Sequence, residues 1–190
     1  MDKINWERLV SKLGIVRQSN ALSDLPPSFF VPEPCCLINA IDKLSFADEC
    51  YEDAIRRFAC WCIQQTLPLF EKHYPEDSRF EEAIVLVKEG DFVRSKFLLE
   101  ILQHKINGDD KLGVTEEDFK DFVSLQAALE SLDSIIHIEV FTVRERLTRC
   151  LRYCLIAIYT DNHDIDHQAL YDKFTHEFIK LCTLQEDYRL

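Results

Sequence analysis

The sequence predicts an all-α fold, a single-domain bundle of about seven helices over residues 1–190, built mostly from antiparallel pairs. Three observations lead to that expectation. Apolar residues recur at spacings of three and four in one segment after another, the period of a helix with one buried face. The 190 residues hold only 4 glycines and 6 prolines, and every proline but Pro68 falls outside the long periodic segments, so a strand-and-turn architecture lacks its punctuation. The helix lengths are unequal and no fixed repeat period recurs, which favours a globular bundle over a solenoid. With 47% hydrophobic residues the chain can bury a sizeable core.

The elements follow in order. Trp6, Leu9, Val10 and Leu13 make one face of a short helix over 1–14 that stops at Gly14. Residues 20–45 read as a linker packed on the body, because Pro26, Pro27, Pro32 and Pro34 remove amide donors while Phe29 and Phe30 pin the segment down. Within it, Cys35 to Leu44 has room for a single helical piece. The bundle proper spans 46–184. Its first long helix runs from about Phe46 to His73, with Ser45 as N-cap and Asp48 and Glu49 in the first turn. Its inward face is Ala47, Cys50, Tyr51, Ala54, Ile55, Phe58, Trp61 and Cys62. Pro68 costs this helix the bond to the Gln64 carbonyl and predicts a kink.

The chain turns at Tyr74 to Ser78, where Asp77 or Ser78 can cap a helix and Glu81 or Glu82 can complete a capping box. That helix turns Phe80, Ala83, Ile84 and Val87 inward and ends at Gly90. Asp91 opens the next, with Val93, Phe97, Leu98, Ile101, Leu102 and Ile106 inward, and the turn Asn107, Gly108, Asp109, Asp110 closes it. Thr115 and Asp118 form the acidic version of a capping box before a helix reaching about Ile138, with Phe119, Phe122, Val123, Leu129, Leu132 and Ile136 inward. A helix from Thr142 to Thr160 places Val143, Leu147, Cys150, Leu151, Cys154 and Ile158 inward. After a polar loop, the last helix aligns Leu170, Tyr171, Phe174, Phe178, Leu181 and Cys182.

The chemistry is thin. A formal charge of -12 argues against direct nucleic-acid binding and invites a basic partner. The charge is uneven: Asp109 to Glu139 holds nine acids against Lys111 and Lys120, whereas the next helix carries Arg144, Arg146, Arg149 and Arg152 against Glu145. These blocks suit either neighbouring helices whose charged faces attract, each exposed pair contributing about 0–1 kcal/mol, or an acidic recognition patch. The 8 cysteines lie mostly on apolar faces and read as buried thiols of a reducing compartment. No phosphate cradle, metalloprotease motif or nucleophile elbow is present, so no catalytic residue, metal or cofactor is expected. The richest polar cluster is Asp161, His163, Asp164, Asp166 and His167, where Asp164 or Asp166 reads as the cap of the last helix. His104 and His137 read as helix-end histidines. No apolar run approaches the ~20 residues a membrane helix needs, and the N-terminus has no signal-peptide core. The expected compartment is the cytoplasm.

One stretch resembles a known family. Phe58, Ala59, Cys60, Trp61 and Cys62, then Thr66, Leu67, Pro68, Leu69, Phe70 and Glu71, then Tyr74 to Arg79 and finally Glu82, Ala83 and Ile84 are similar to the Imm5-like immunity proteins of bacterial polymorphic toxin systems. The resemblance covers residues 58–84; beyond Ile84 the helices carry Phe, Leu, Ile and acids where that family tends toward alanine and interspersed histidines. It implies a non-catalytic protein that binds and neutralises a cognate toxin. Within the motif, Trp61, Leu67, Leu69, Phe70, Ala83 and Ile84 read as structural, with Pro68 at the bend, and Asp77 and Arg79 as exposed candidates that equally suit capping and pairing with each other. The expected partner surface is Asp109, Asp110, Glu116, Glu117, Asp118 and Asp121, with Asp77 and Arg79; the same acids also suit a solvated helix start. Two other readings stay open: a helical adaptor or scaffold for another cytoplasmic protein, and a metal-dependent enzyme using Asp161 to His167. Apolar faces on the longer helices would also suit a homodimer.

Overall fold

The computed structural model describes Leu37 and residues 49–109, 112, 115–137, 142–162 and 164–186. They form α1 (Glu49–Gln64), α2 (Leu67–His73), α3 (Arg79–Glu89), α4 (Phe92–Asn107), α5 (Glu116–Ile136), α6 (Val143–Asp161) and α7 (His167–Glu186), with no strand among the described residues. Apart from the seven-residue α2, these are six helices where the sequence predicts about seven. The expected helix over 1–14, the 20–45 linker apart from the buried, helical Leu37, and Phe46, Ala47, Asp48, Asp110 and His163 lie outside the described residues, as do the side chains of Cys50, Tyr51, Ala54, Glu116, His167 and Cys182. Packing divides the chain into two compact units, one of Ile55–Ile165 and one of Met1–Ala54 with Asp166–Leu190. Among the described residues, no helix is long and apolar enough to cross a membrane.

In the Ile55–Ile165 unit, α1 is buried almost all round: Ile55, Phe58, Ala59, Cys60, Cys62 and Ile63 are inside, and Arg57 and Gln64 are exposed. The bend after it is a true break. Gln65 N and Thr66 N bond back to the Cys62 and Ile63 carbonyls, and the buried Thr66 hydroxyl donates to Ile63 O at 2.7 Å. That leaves Pro68 in the first turn of a new helix, where its missing amide costs nothing. Across the following turn the Phe70 and Phe80 rings stack at 3.9 Å between centroids, both buried. Ser78 precedes α3 but makes no capping bond, so the capping box expected with Glu81 or Glu82 is absent; Asp77 is drawn onto Arg79 instead.

Gly90 ends α3 at φ 85°, a left-handed conformation that favours glycine. Asp91 then caps α4 by accepting from Arg94 N at 3.1 Å, giving a tight helical hairpin. On α4, Leu102 and Ile106 are buried as expected and are joined by Ser95 and Leu99, Leu98 and Ile101 are half-buried, and Val93 and Phe97, expected inside, are 82% and 62% exposed. The cause is Ser95, whose hydroxyl donates to Ala83 O at 2.9 Å and so goes inside at no cost in unpaired groups.

The same rotation recurs in α5. Ser124, Ser131 and Ser134 are buried, each donating to a carbonyl three or four residues back, beside Leu125, Ala127, Ala128, Leu129, Leu132, Ile135 and Ile136. This small-residue face lets α6 approach closely and makes α5–α6 the most extensive helix contact. Phe119, expected inside, is 57% exposed, and Phe122 and Val123 are half-buried. The capping box at Thr115 and Asp118 forms as the sequence predicts, and a second, Thr142 with Glu145, starts α6. The T-x-x-E spacing could have announced that second box. On α6, Leu147, Cys150, Leu151 and Cys154 are buried as expected, with Leu155, Ala157 and Tyr159; Val143 and Ile158 are half-buried.

Four thiols are buried in this unit. The Cys60 thiol lies 4.0 Å from Ile84 O and the Cys150 thiol 3.9 Å from Ala59 O, tying α1 to α3 and to α6. Burial pushes Cys60 up to about 11, and burial, then the Cys154 thiol, holds Cys150 well above the ordinary range. Thiolate is the reactive form, so these groups are inert while folded. Alkylation of the native protein at mildly alkaline pH, read by peptide mapping, is expected to spare Cys60, Cys62, Cys150 and Cys154 and to reach them together in denaturing urea. Modification at native rates equal to those of an unfolded peptide would contradict this core.

In the other unit, Asp166 caps α7 by accepting from Gln168 N at 2.9 Å and Ala169 N at 3.2 Å. Leu170, Phe174 and Phe178 are buried at successive four-residue steps, and Tyr171 and Leu181 are half-buried.

Candidate protein-binding surface

The two groups of surface candidates, far apart in sequence, meet at one end of the Ile55–Ile165 unit. The turn between α2 and α3 supplies Tyr74, Asp77 and Arg79; the end of α4 and the connection after it supply Lys105 and Asp109. Tyr74 donates its phenolic proton to Asp109 at 3.1 Å. Lys105 reaches Asp77 at 2.6 Å while its ammonium lies 4.4 Å from the Tyr74 ring centre. Arg79 closes the group, its Nε donating to Asp77 at 2.7 Å.

Of the two readings the sequence allows for Asp77, exposed contact or paired carboxylate, the structure shows the paired one. Its side chain is 8% exposed and accepts from a guanidinium, an ammonium and the Arg79 backbone N–H. The Arg79 guanidinium, then Lys105, holds this carboxyl well below the usual carboxylate range against the opposing effect of burial. In return Asp77 raises Arg79. Burial first, then the bond to Asp109, moves Tyr74 above the ordinary phenol range.

A second cluster lies on α2, α5 and α6. Lys72 donates to Asp121 at 3.1 Å and to Asp161 at 3.2 Å, and His73 Nε2 is 3.4 Å from Asp121. Asp121, then Asp161, raises the Lys72 ammonium. Lys72 and His73 occupy the last turn of α2, where positive charge complements the helix dipole. Asp118 is engaged in the cap of α5, accepting from Thr115 N at 2.9 Å.

Of the predicted surface acids, Asp77, Asp109, Asp118 and Asp121 are thus held by neighbours within the fold, and Glu117 stands exposed on the first turn of α5. Glu71 and Glu76 are exposed beside them, a pair that sequence reasoning passed over because neither sits in the acidic block. Tyr74, Lys72, Lys105 and Asp161 were missed for a different reason: their partners lie 28 to 89 residues away, beyond any local pattern. Among the described residues, these segments carry the carboxylates of Glu71, Glu76, Asp77, Asp109, Glu117, Asp118, Asp121 and Asp161 and the permanent cations Lys72, Arg79, Lys105 and Lys120.

The motif residues divide. Leu69, Phe70, Ala83 and Ile84 are buried and Pro68 is exposed, while Trp61 and Leu67, read as core from the sequence, are half-buried, Trp61 stacked 6.1 Å from Phe58. The polar residues near the last loop are spread over separate tasks: Asp161 pairs with Lys72, Asp164 is exposed, and Asp166 caps α7. His104 is exposed in the last turn of α4, and His137 follows α5 with Nε2 3.1 Å from Asp133. Among the described residues, no group of three or more His, Cys, Asp or Glu side chains is placed to hold a metal ion. What the acidic end can do chemically is attract and orient a positively charged surface. Compared with protein-family models, curated proteins and solved structures, the chain matches none.

Proposed function

We propose that the chain is a non-catalytic immunity protein that binds and neutralises a cognate basic toxin through the acidic end of its Ile55–Ile165 unit. The observation that supports this reading is the joining of the Tyr74–Arg79 turn to Asp109, and of Lys72 on α2 just before it to Asp121, in segments that also carry the exposed Glu71, Glu76 and Glu117. The resemblance of residues 58–84 to Imm5-like immunity proteins supports it from the sequence, and so does the charge of -12.

The division of labour follows from the pairing. Asp77, Arg79 and Lys105, and Lys72 with Asp121 and Asp161, fix the backbone geometry of this end. Glu71, Glu76 and Glu117 project beyond that frame and meet the partner. A toxin acting on nucleic acid presents a basic substrate groove, so an acidic surface reaches it quickly, rejects acidic competitors and blocks the groove that it covers. The attraction weakens as salt screens it.

Affinity capture from the lysate of the producing cell, at low and moderate salt, is expected to retain a basic protein whose binding falls as salt rises. A Glu76→Lys/Glu117→Lys variant is expected to bind that protein at least about tenfold more weakly, ~1.4 kcal/mol, with unchanged helicity. Equal binding by the variant would remove this end from the interface.

A further inference from the structure

The exposed Glu76 sits on a turn that is fastened at both ends. Tyr74, Pro75, Glu76 and Asp77 form a four-residue turn closed by the Asp77 N–H, which donates to Tyr74 O at 2.9 Å. Pro75 takes its second position, where a fixed φ suits such a turn. Pro75 and Glu76 face solvent, while the residues on either side are tied to the fold. On the leading side, the Tyr74 N–H closes α2 on Phe70 O at 2.7 Å and the Tyr74 hydroxyl donates to Asp109 at 3.1 Å. On the trailing side, Asp77 accepts from the Arg79 N–H and from Arg79 Nε. Lys105 of α4 touches both sides, donating to Asp77 at 2.6 Å with its ammonium 4.4 Å from the Tyr74 ring centre.

We propose that Lys105 and Tyr74 are positioning residues of the toxin-binding surface, holding the Tyr74–Asp77 turn ready-made so that Glu76 meets a guanidinium or ammonium group of the partner without first being ordered. The nature of the partner rests on the immunity reading of this end. A loop fixed before contact loses less conformational freedom on association, so more of the contact energy is realised as affinity. Lys105 therefore acts in two opposite senses. As a positive charge, its side chain 36% exposed, it repels a basic partner; as a clamp on both sides of the turn it favours one. The clamp outweighs the charge. Across water at about 10 Å one unit charge changes affinity by about twofold, and by less once salt screens it. Leaving a long side chain to be ordered on binding weakens affinity by about two- to tenfold, and loosening this turn frees more than one group.

Octa-arginine is a basic probe that needs no toxin. Titrated into the isotope-labelled full chain and followed by amide NMR, it is expected to shift the Glu76 resonance to saturation. Lys105→Met makes the chain more negative, so charge alone predicts tighter binding; positioning predicts a dissociation constant about threefold or more higher, with a lower heteronuclear NOE at Glu76. Lys105→Arg is expected to retain both the affinity and the NOE of the wild type. Tyr74→Phe changes no charge and removes one oxygen, and is expected to weaken binding and loosen Glu76 in the same sense. Lys96→Met makes the same change of charge from an exposed position nine residues, about 14 Å, before Lys105, and is expected to bind no more weakly than wild type. Circular dichroism is expected to show the same helicity in every variant. A Lys105→Met chain that binds octa-arginine as tightly as wild type or more tightly, a Glu76 NOE unmoved in both Lys105→Met and Tyr74→Phe, or a titration that leaves Glu76 unshifted overturns the proposal. Failure of the toxin reading shows elsewhere: an affinity capture that yields no toxic partner removes the toxin and leaves the octa-arginine results standing.

Discussion

Phe80→Ala is expected to lower the unfolding free energy by about 4 kcal/mol. Phe80 is fully buried at the start of α3, and its ring stacks on the buried Phe70 with an interplanar angle of 13°. The substitution removes the transfer energy of a whole aromatic ring, leaves a cavity the surrounding helices cannot close, and forfeits ~0.5–1.5 kcal/mol of ring-on-ring attraction. Because Phe70 is on α2 and Phe80 on α3, the loss also frees the turn that holds Tyr74 and Asp77. Urea unfolding followed by circular dichroism is the measurement. Phe80→Leu refills much of the volume and is expected to recover more than half of the loss. An unchanged midpoint in Phe80→Ala would refute this core.

Asp77→Asn is expected to cost about 2 kcal/mol near neutral pH, the scale for losing charge-assisted hydrogen bonds at a largely buried acceptor. The pH dependence gives the substitution its signature. The folded protein holds the Asp77 carboxyl well below its ordinary value, through Arg79 first and Lys105 second. A depressed carboxyl contributes fully above its unfolded value, about 3.9, and loses that contribution as pH falls through the folded value. The stability gap between wild type and Asp77→Asn is therefore expected to be widest from mildly acid to neutral pH and to close as pH falls below about 4. A gap of constant width down to strongly acid pH would assign the effect to shape and not to charge.

Much of the architecture was legible because its signals are local. The Thr115 and Asp118 spacing, Gly90, Asp91 and the three-four periodicity of α1, α3 and α6 depend on neighbours within one or two turns, and the helices lie where those signals put them. The rotation of α4 and α5 was not legible for one physical reason. A serine scores as polar in any hydropathy pattern, yet Ser95 satisfies its hydroxyl on Ala83 O and Ser124, Ser131 and Ser134 satisfy theirs on their own helix, so each can turn inward. Phe97 and Phe119 are displaced to the outside as a result. Sequence alone read them as core because it credited their hydrophobicity and could not see the carbonyls.

The candidate surface was half legible by the same logic. The acidic block was visible as charge, whereas its attachment to Asp77 and Arg79 depends on Tyr74, Lys105 and Lys72 finding partners across the fold. Those pairings also place the Asp77 side chain largely inside the frame, whereas Glu71, Glu76 and Glu117 are exposed.

The most direct test of the immunity reading is growth. The basic protein captured by this chain is expressed in a host cell from an inducible promoter, alone and together with the chain. The account predicts growth arrest when the partner is expressed alone, full growth when wild-type chain is present, and renewed arrest when the Glu76→Lys/Glu117→Lys variant replaces it. A captured partner that leaves growth untouched, or one whose toxicity the wild-type chain does not relieve, would contradict the account.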